Sequence, residues 1–140
     1  MMTTCIFHDT GPAAHDRQLF EIVERLYNQR HRTLVFVRDE GRAAAIDRTL
    51  WILKQEAFIP HKVFATSEPD PEIRVAIVSS EVNPISADVL VAEAHCHLDF
   101  ACQFESIHEF VDRSSPEIHQ ACRERFREYR SRQIDVEYSK

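Results

Sequence analysis

Short apolar, β-branched runs alternate along this chain with longer segments whose apolar residues recur every three or four positions. Successive side chains of a strand point to opposite faces, whereas a three-to-four spacing lines one face of a helix. The short runs predict strands near residues 4–8, 33–38, 74–79 and 87–91, with a shorter one near 107–111. Helices are predicted over residues 16–30, 42–54 and 116–132. In the first, Leu19, Phe20, Val23, Leu26 and Tyr27 share a face; in the second, Ile46, Leu50 and Leu53 do, with Ala43 beside them. The third opens on Pro116, which suits a first helical turn because the missing N–H would be unpaired there anyway. Residues 67–72 read as an extended polar loop. Strands that alternate with helices predict an α/β fold, a three-layer α/β/α arrangement around a mostly parallel sheet.

Composition narrows the picture. A chain of 140 residues with 44% apolar side chains supports one hydrophobic core, hence a single domain. Unbroken apolar runs such as 34–37 and 89–92 are strand-sized, well short of the roughly 20 residues that span a membrane. Residues 1–8 carry neither a charged leader nor an apolar signal core, so the chain is expected in the cytoplasm. There Cys5, Cys96, Cys102 and Cys122, which lack paired metal-ligand spacing, are expected to be packing thiols. A net charge of −6 argues against coating nucleic acid with the whole surface. Any such role is local or indirect, and strong direct DNA binding is not expected. Of the 17 cationic residues 14 are arginine, and five of those lie between Arg123 and Arg132.

Enzyme readings find little to stand on. A phosphate-binding loop needs closely spaced glycines, yet the chain has only Gly11 and Gly41. Gly41 follows a strand and opens a helix, but its surroundings lack the further glycines and the Lys-Ser/Thr pair. His95, Cys96 and His97, with Cys102 nearby, suggest a zinc site or a Cys–His hydrolase as an alternative. An extended backbone would turn Cys96 away from both histidines, and no second ligand pair has the right spacing. No cofactor or metal is expected.

Two surface features look like docking sites. On the last predicted helix, Ile118, Cys122, Phe126 and Tyr129 form an apolar stripe beside a row of Arg123, Arg127 and Arg130. An aromatic edge next to guanidinium forks suits an acidic peptide with an apolar anchor and a terminal carboxylate. The simpler alternative is a solvated helix on which Glu124 and Glu128 partly neutralise the arginines. The second feature joins Trp51, off the core stripe of its helix, to Phe58, Pro60 and His61. A half-exposed tryptophan is a frequent interface anchor, although one tucked under its own loop fits the sequence as well.

Together these features resemble the chi subunit family of bacterial DNA polymerase III. The resemblance rests on Leu50-Trp51 through Phe58-Ile59-Pro60-His61, on residues 87–91, on Phe110-Val111-Asp112, and on Arg123-Glu124-Arg125-Phe126-Arg127-Glu128-Tyr129-Arg130, in family order. It implies a non-catalytic accessory subunit of the clamp-loader assembly, with a fold like a nucleotide-binding domain that has lost its phosphate loop. One surface would bind the psi subunit, or in some members a helicase, through Trp51, Phe58, Pro60 and His61. Another would bind the acidic C-terminal tail of single-stranded DNA-binding protein through Arg123, Phe126, Arg127 and Arg130. Phe126 stands where the family usually has tyrosine, and Arg127 where it commonly has lysine. The polar Arg113-Ser114-Ser115 approach and the glycine-free Ser131-Arg132-Gln133 exit depart from the family pattern.

Overall fold

A computed structural model of the chain, which describes residues 3–52, 59–66 and 68–140, has the expected α/β fold, although the three strands within residues 61–92 follow one another without an intervening helix among the described residues. Among the described residues, β1 (Thr4–His8), β2 (Thr33–Phe36), β3 (His61–Phe64), β4 (Val75–Val78), β5 (Val89–Ala92), β6 (Ser106–Phe110) and β7 (Asp135–Ser139) form one sheet. Their order is β3-β4-β2-β5-β6-β1-β7, and every pairing is parallel. Parallel strands need crossover connections. Most are supplied by α1 (His15–Asn28), α2 (Glu40–Ile52), the single-turn α3 (Leu98–Ala101) and α4 (Pro116–Ser131).

The two-residue period of the strands sorts their side chains into two cores. Leu34, Phe36, Ala76, Val78, Leu90 and Ile107 pack with Phe100 of α3 and Tyr129 of α4. Val35, Ile77, Val89 and Val91 pack on the opposite face with Leu19, Val23 and Leu26 of α1 and Ile46 and Leu50 of α2. The central strands are therefore apolar on both faces, which is why they stand out in the sequence.

Two strands do not stand out. β3 and β7 are the sheet edges, and β7 is largely exposed, so neither carries a continuous apolar run. Backbone pairing to β1 recruits β7: Cys5 lies opposite Val136 and Phe7 opposite Tyr138. The chain enters β7 through Gln133, whose left-handed φ of 63° ends α4 without the glycine that usually takes such a conformation. The predicted helix over residues 42–54 runs to Ile52, and its last two positions lie outside the described residues. The predicted stripe on α4 needs correction. Ile118 is 40% exposed, and the sheet-facing positions are Cys122, Arg125 and Tyr129.

A charged residue sits in that stripe because β6 supplies its counter-charge. Glu109 is fully buried and accepts Nε and Nη2 of Arg125 at 3.1 and 2.6 Å, together with the hydroxyl of Tyr129 at 2.7 Å. Arg125 Nη1 donates to the carbonyl of Cys96 at 2.6 Å, tying the segment after β5 to the same helix. Burial opposes the guanidinium charge, but Glu109 outweighs it and holds the Arg125 pKa above its ordinary value. Burial, followed by the Glu109 charge, pushes the Tyr129 hydroxyl far up, so it stays a proton donor.

On the other face, His8 and His108 stack with ring centroids 5.2 Å apart, Nε2 of one 2.9 Å from Nδ1 of the other. Burial, then neighbouring Arg25, lowers His8 to about 4. Burial, then His8, lowers His108 to about 3.

Two outcomes follow from these buried groups. Glu109→Gln leaves the guanidinium buried without its counter-charge and should destabilise the fold by about 3–5 kcal/mol in chemical unfolding. The triple variant Glu109→Leu, Arg125→Met, Tyr129→Phe should recover most of that loss, since an apolar set of similar volume needs no compensation. The histidine pair is neutral in the folded state, whereas unfolded histidines protonate below about pH 6.5. Stability should therefore fall as the pH drops from 6.5 towards 4, by roughly 2 kcal/mol per histidine at pH 4.5. A His8→Phe, His108→Leu double variant should lose less melting temperature over the same interval.

Candidate functional site

α4 is built to present one row of cations. Ser115 caps its start, its Oγ accepting the N–H of Ile118 at 3.1 Å, and Pro116 occupies the first turn. With Arg125 drawn inward by Glu109, helical spacing turns Arg123, Arg127 and Arg130 outward, and all three are exposed. Arg132, the fifth arginine of the cluster, pairs with Asp99 at 2.8 Å. Phe126 is half-buried at the border between the inward and outward faces, its ring 5.3 Å from that of Phe7 on β1 and tilted 59°.

Beside this row is a hollow of about 430 Å³. Arg123, Phe126, Arg127 and Arg130 line it from α4, so the structure brings together the four positions expected to meet a tail. Phe7, Val111, Arg113 and Tyr138 line the sheet side. No Asp or Glu is among its lining residues, although the chain as a whole carries a net charge of −6. Glu124 accepts a hydrogen bond from Gln120 at 3.4 Å. Among the described residues, neither it nor Glu128 forms an ion pair with the three outward arginines. The resemblance already links the Arg113 segment to one wall of the tail pocket, whereas Phe7 and Tyr138 are not marked by the sequence, because β1 and β7 meet only when the sheet assembles.

The second candidate region lies at the opposite sheet edge. Trp51, at the end of α2, is 45% exposed, and its ring stands 4.4 Å from that of buried His61 on β3. His61 is fixed by the Ile59 carbonyl, 2.7 Å from its Nδ1, and by the Asp47 carboxylate, 3.1 Å from its Nε2. Pro60 is half-buried beside it, and Phe58 lies outside the described residues. Ile52 and Val63 are also exposed, and Val63 shares a face of β3 with His61. The apolar patch thus includes an edge-strand residue that the sequence pattern did not mark. Trp51 is a surface residue, not one sealed in the core.

A larger crevice of about 730 Å³ opens at the C-terminal ends of β1, β2, β5 and β6, where α/β folds commonly bind ligands. Its polar groups satisfy one another. Glu93 takes Arg42 Nη2 at 2.7 Å and His15 Nε2 at 3.1 Å, and Arg42 also reaches Asp16 at 2.8 Å. The backbone N–H of Arg42, near the start of α2, donates to the Asp39 carboxylate at 2.7 Å. An internal anion therefore occupies a donor that a phosphate loop would offer to a nucleotide. The nearby histidines diverge. His97 pairs with Glu81 at 2.8 Å, while His95 Nε2 lies 3.8 Å from the Cys122 sulfur on α4. Cys96 is buried between them, with burial raising its thiol to about 11. Among the described residues no three His, Cys, Asp or Glu side chains are grouped to hold a metal ion. Nor is any described helix long and apolar enough to cross a membrane.

Residues 2–137 match the family model described as DNA polymerase III chi subunit, HolC. The DNA polymerase III subunit chi of Pseudomonas aeruginosa is 30% identical over 125 residues, covering 89% of this chain and 85% of the relative. That of Escherichia coli K12 is 29% identical over 121 residues, covering 86% and 81% respectively. With the family match spanning nearly every residue and two such relatives aligned over most of their length, the chain belongs to the DNA polymerase III chi subunit family.

Proposed function

We propose that this replication accessory subunit links the psi subunit of the clamp loader to the acidic C-terminal tail of single-stranded DNA-binding protein, and that it catalyses nothing itself. The observation that carries the reading is the hollow beside α4: arginines around a half-buried phenylalanine, with no carboxylate among the lining residues. An apolar side chain next to Phe126 recovers buried area, and a terminal carboxylate recovers charge-assisted hydrogen bonds from guanidinium forks. The exposed Trp51, Ile52 and Val63 at the other edge are the surface assigned to psi, with Pro60 and His61 shaping it and Phe58 expected to join. From β3 to β7 there are six strand spacings, roughly 29 Å at about 4.8 Å each. Two partners seated at the two edges have no need to compete, as a bridging role requires.

Titration of a fluorescent tail peptide should give a micromolar Kd, roughly −7 to −8 kcal/mol. Arg123→Ala and Phe126→Ala should each weaken it about tenfold or more, and raising the salt should weaken it further. Unchanged affinity in both variants would remove the hollow as the tail site. At the other edge, Trp51→Ala should abolish capture of psi while circular dichroism and melting stay near those of the unaltered protein. Loss of helicase capture in place of psi would identify the patch with a repair adaptor instead.

A further inference from the structure

The hollow has a second cationic wall. Arg113 lines it from the segment between β6 and α4, facing the row on the helix from the sheet side. Its side chain is 56% exposed, and Nη2 donates to the Asp9 carboxylate at 2.6 Å. Asp9 itself lines the crevice on the other side of this ridge, not the hollow. It also accepts the hydroxyl of Tyr138, whose ring lines the hollow, and its own N–H donates to the Ser139 carbonyl at 2.8 Å. Asp9 therefore fastens Arg113, the end of β1 and the end of β7 to one another. A guanidinium offers five N–H donors, and this pair uses one of them. Arg113 lines both the crevice and the hollow, and no Asp or Glu is among the residues that line the hollow.

Resting on the reading of the hollow as a tail site, we infer that Arg113 forms a separate anion subsite, taking an acidic side chain upstream of the C-terminus while the arginines of α4 take the terminal carboxylate. Two cationic walls on different elements fit a ligand with two separated negative groups better than one with a lone carboxylate. Because Asp9 and Tyr138 already order Arg113, engaging it costs less side-chain entropy than capturing a freely rotating arginine. Arg113 thus acts as a specificity residue, distinguishing acidic tails from neutral ones that share the same apolar end.

A double-mutant cycle tests this. Two hexapeptides, each ending in phenylalanine with a free carboxylate, carry either two aspartates or two asparagines upstream; both are titrated against the unaltered protein, Arg113→Gln and Arg123→Ala. Arg113→Gln should weaken the aspartate peptide five- to tenfold and leave the asparagine peptide within twofold, whereas Arg123→Ala should weaken both. Melting curves should show Arg113→Gln folded, and Arg113→Lys should restore part of the preference. Equal weakening of both peptides by Arg113→Gln, or of neither, would overturn the subsite while leaving the hollow as the tail site. Failure of the unaltered protein to bind either peptide would overturn the hollow itself, and the subsite with it.

Discussion

The seating of α4 depends on one buried ion pair. Glu109 is a carboxylate near the end of an interior strand with no exposed surface, a placement that would cost several kcal/mol were it not met by Arg125 and Tyr129. Those two partners are four residues apart, so they fix both the height and the rotation of the helix over β6. Apolar packing by itself tolerates small rotations, whereas bonds of 2.6 to 3.1 Å to one carboxylate do not. Rotation matters here because Arg123 and Arg127 flank Arg125 two positions away on either side, and their outward direction is set by the inward direction of Arg125.

From that constraint comes the separation of charge. The chain is acidic overall, yet the ridge before α4 and the helix itself bring arginines around a phenylalanine in a hollow with no Asp or Glu among its lining residues. Among the described residues Arg113 alone of these arginines is paired, to Asp9 outside the hollow. The crevice at the strand ends shows the opposite arrangement, where Glu93, Arg42, Asp16 and His15 are consumed by one another. An anion approaching this protein therefore finds donors already engaged at the place where α/β folds usually hold nucleotides, and available ones beside α4. The crevice at the strand ends is lined by paired charges, and the arginine-lined hollow lies towards the β7 edge of the sheet.

The two edges of the sheet give the molecule its two faces. β3 carries the patch of Trp51 and Val63, and β7 forms a wall of the arginine hollow. An all-parallel sheet covered by helices buries its middle strands, so only its edges and the ends of its strands are left for recognition. A packed core lies between the two, which is what the proposed bridging role would require of surfaces used independently.

Much of this was legible in the sequence. The central strands, the three long helices, the α/β class and the row of Arg123, Arg127 and Arg130 all follow from local periodicity, which depends only on how backbone geometry repeats, whereas the exposure of Trp51 is decided only by the fold, which places it at the surface. Edge strands escaped because exposure removes the apolar signal: residues 135–139 become a strand only when β1 offers its backbone. Arg125 escaped for a related reason, since nothing in a helical pattern says that one arginine of five has a carboxylate waiting beneath it. Phe7 is far from α4 along the chain, whereas Arg113 and Tyr138 lie just before and just after the helix; the pairing of β1 with β6 and β7 makes all three neighbours of Phe126. Sequence thus determined what each segment could become, through short-range repetition of side-chain character. Tertiary structure decided which charges are buried and which line the hollow, because those depend on contacts between separate elements, as between Glu109 on β6 and Arg125 on α4 or between Asp9 and Arg113.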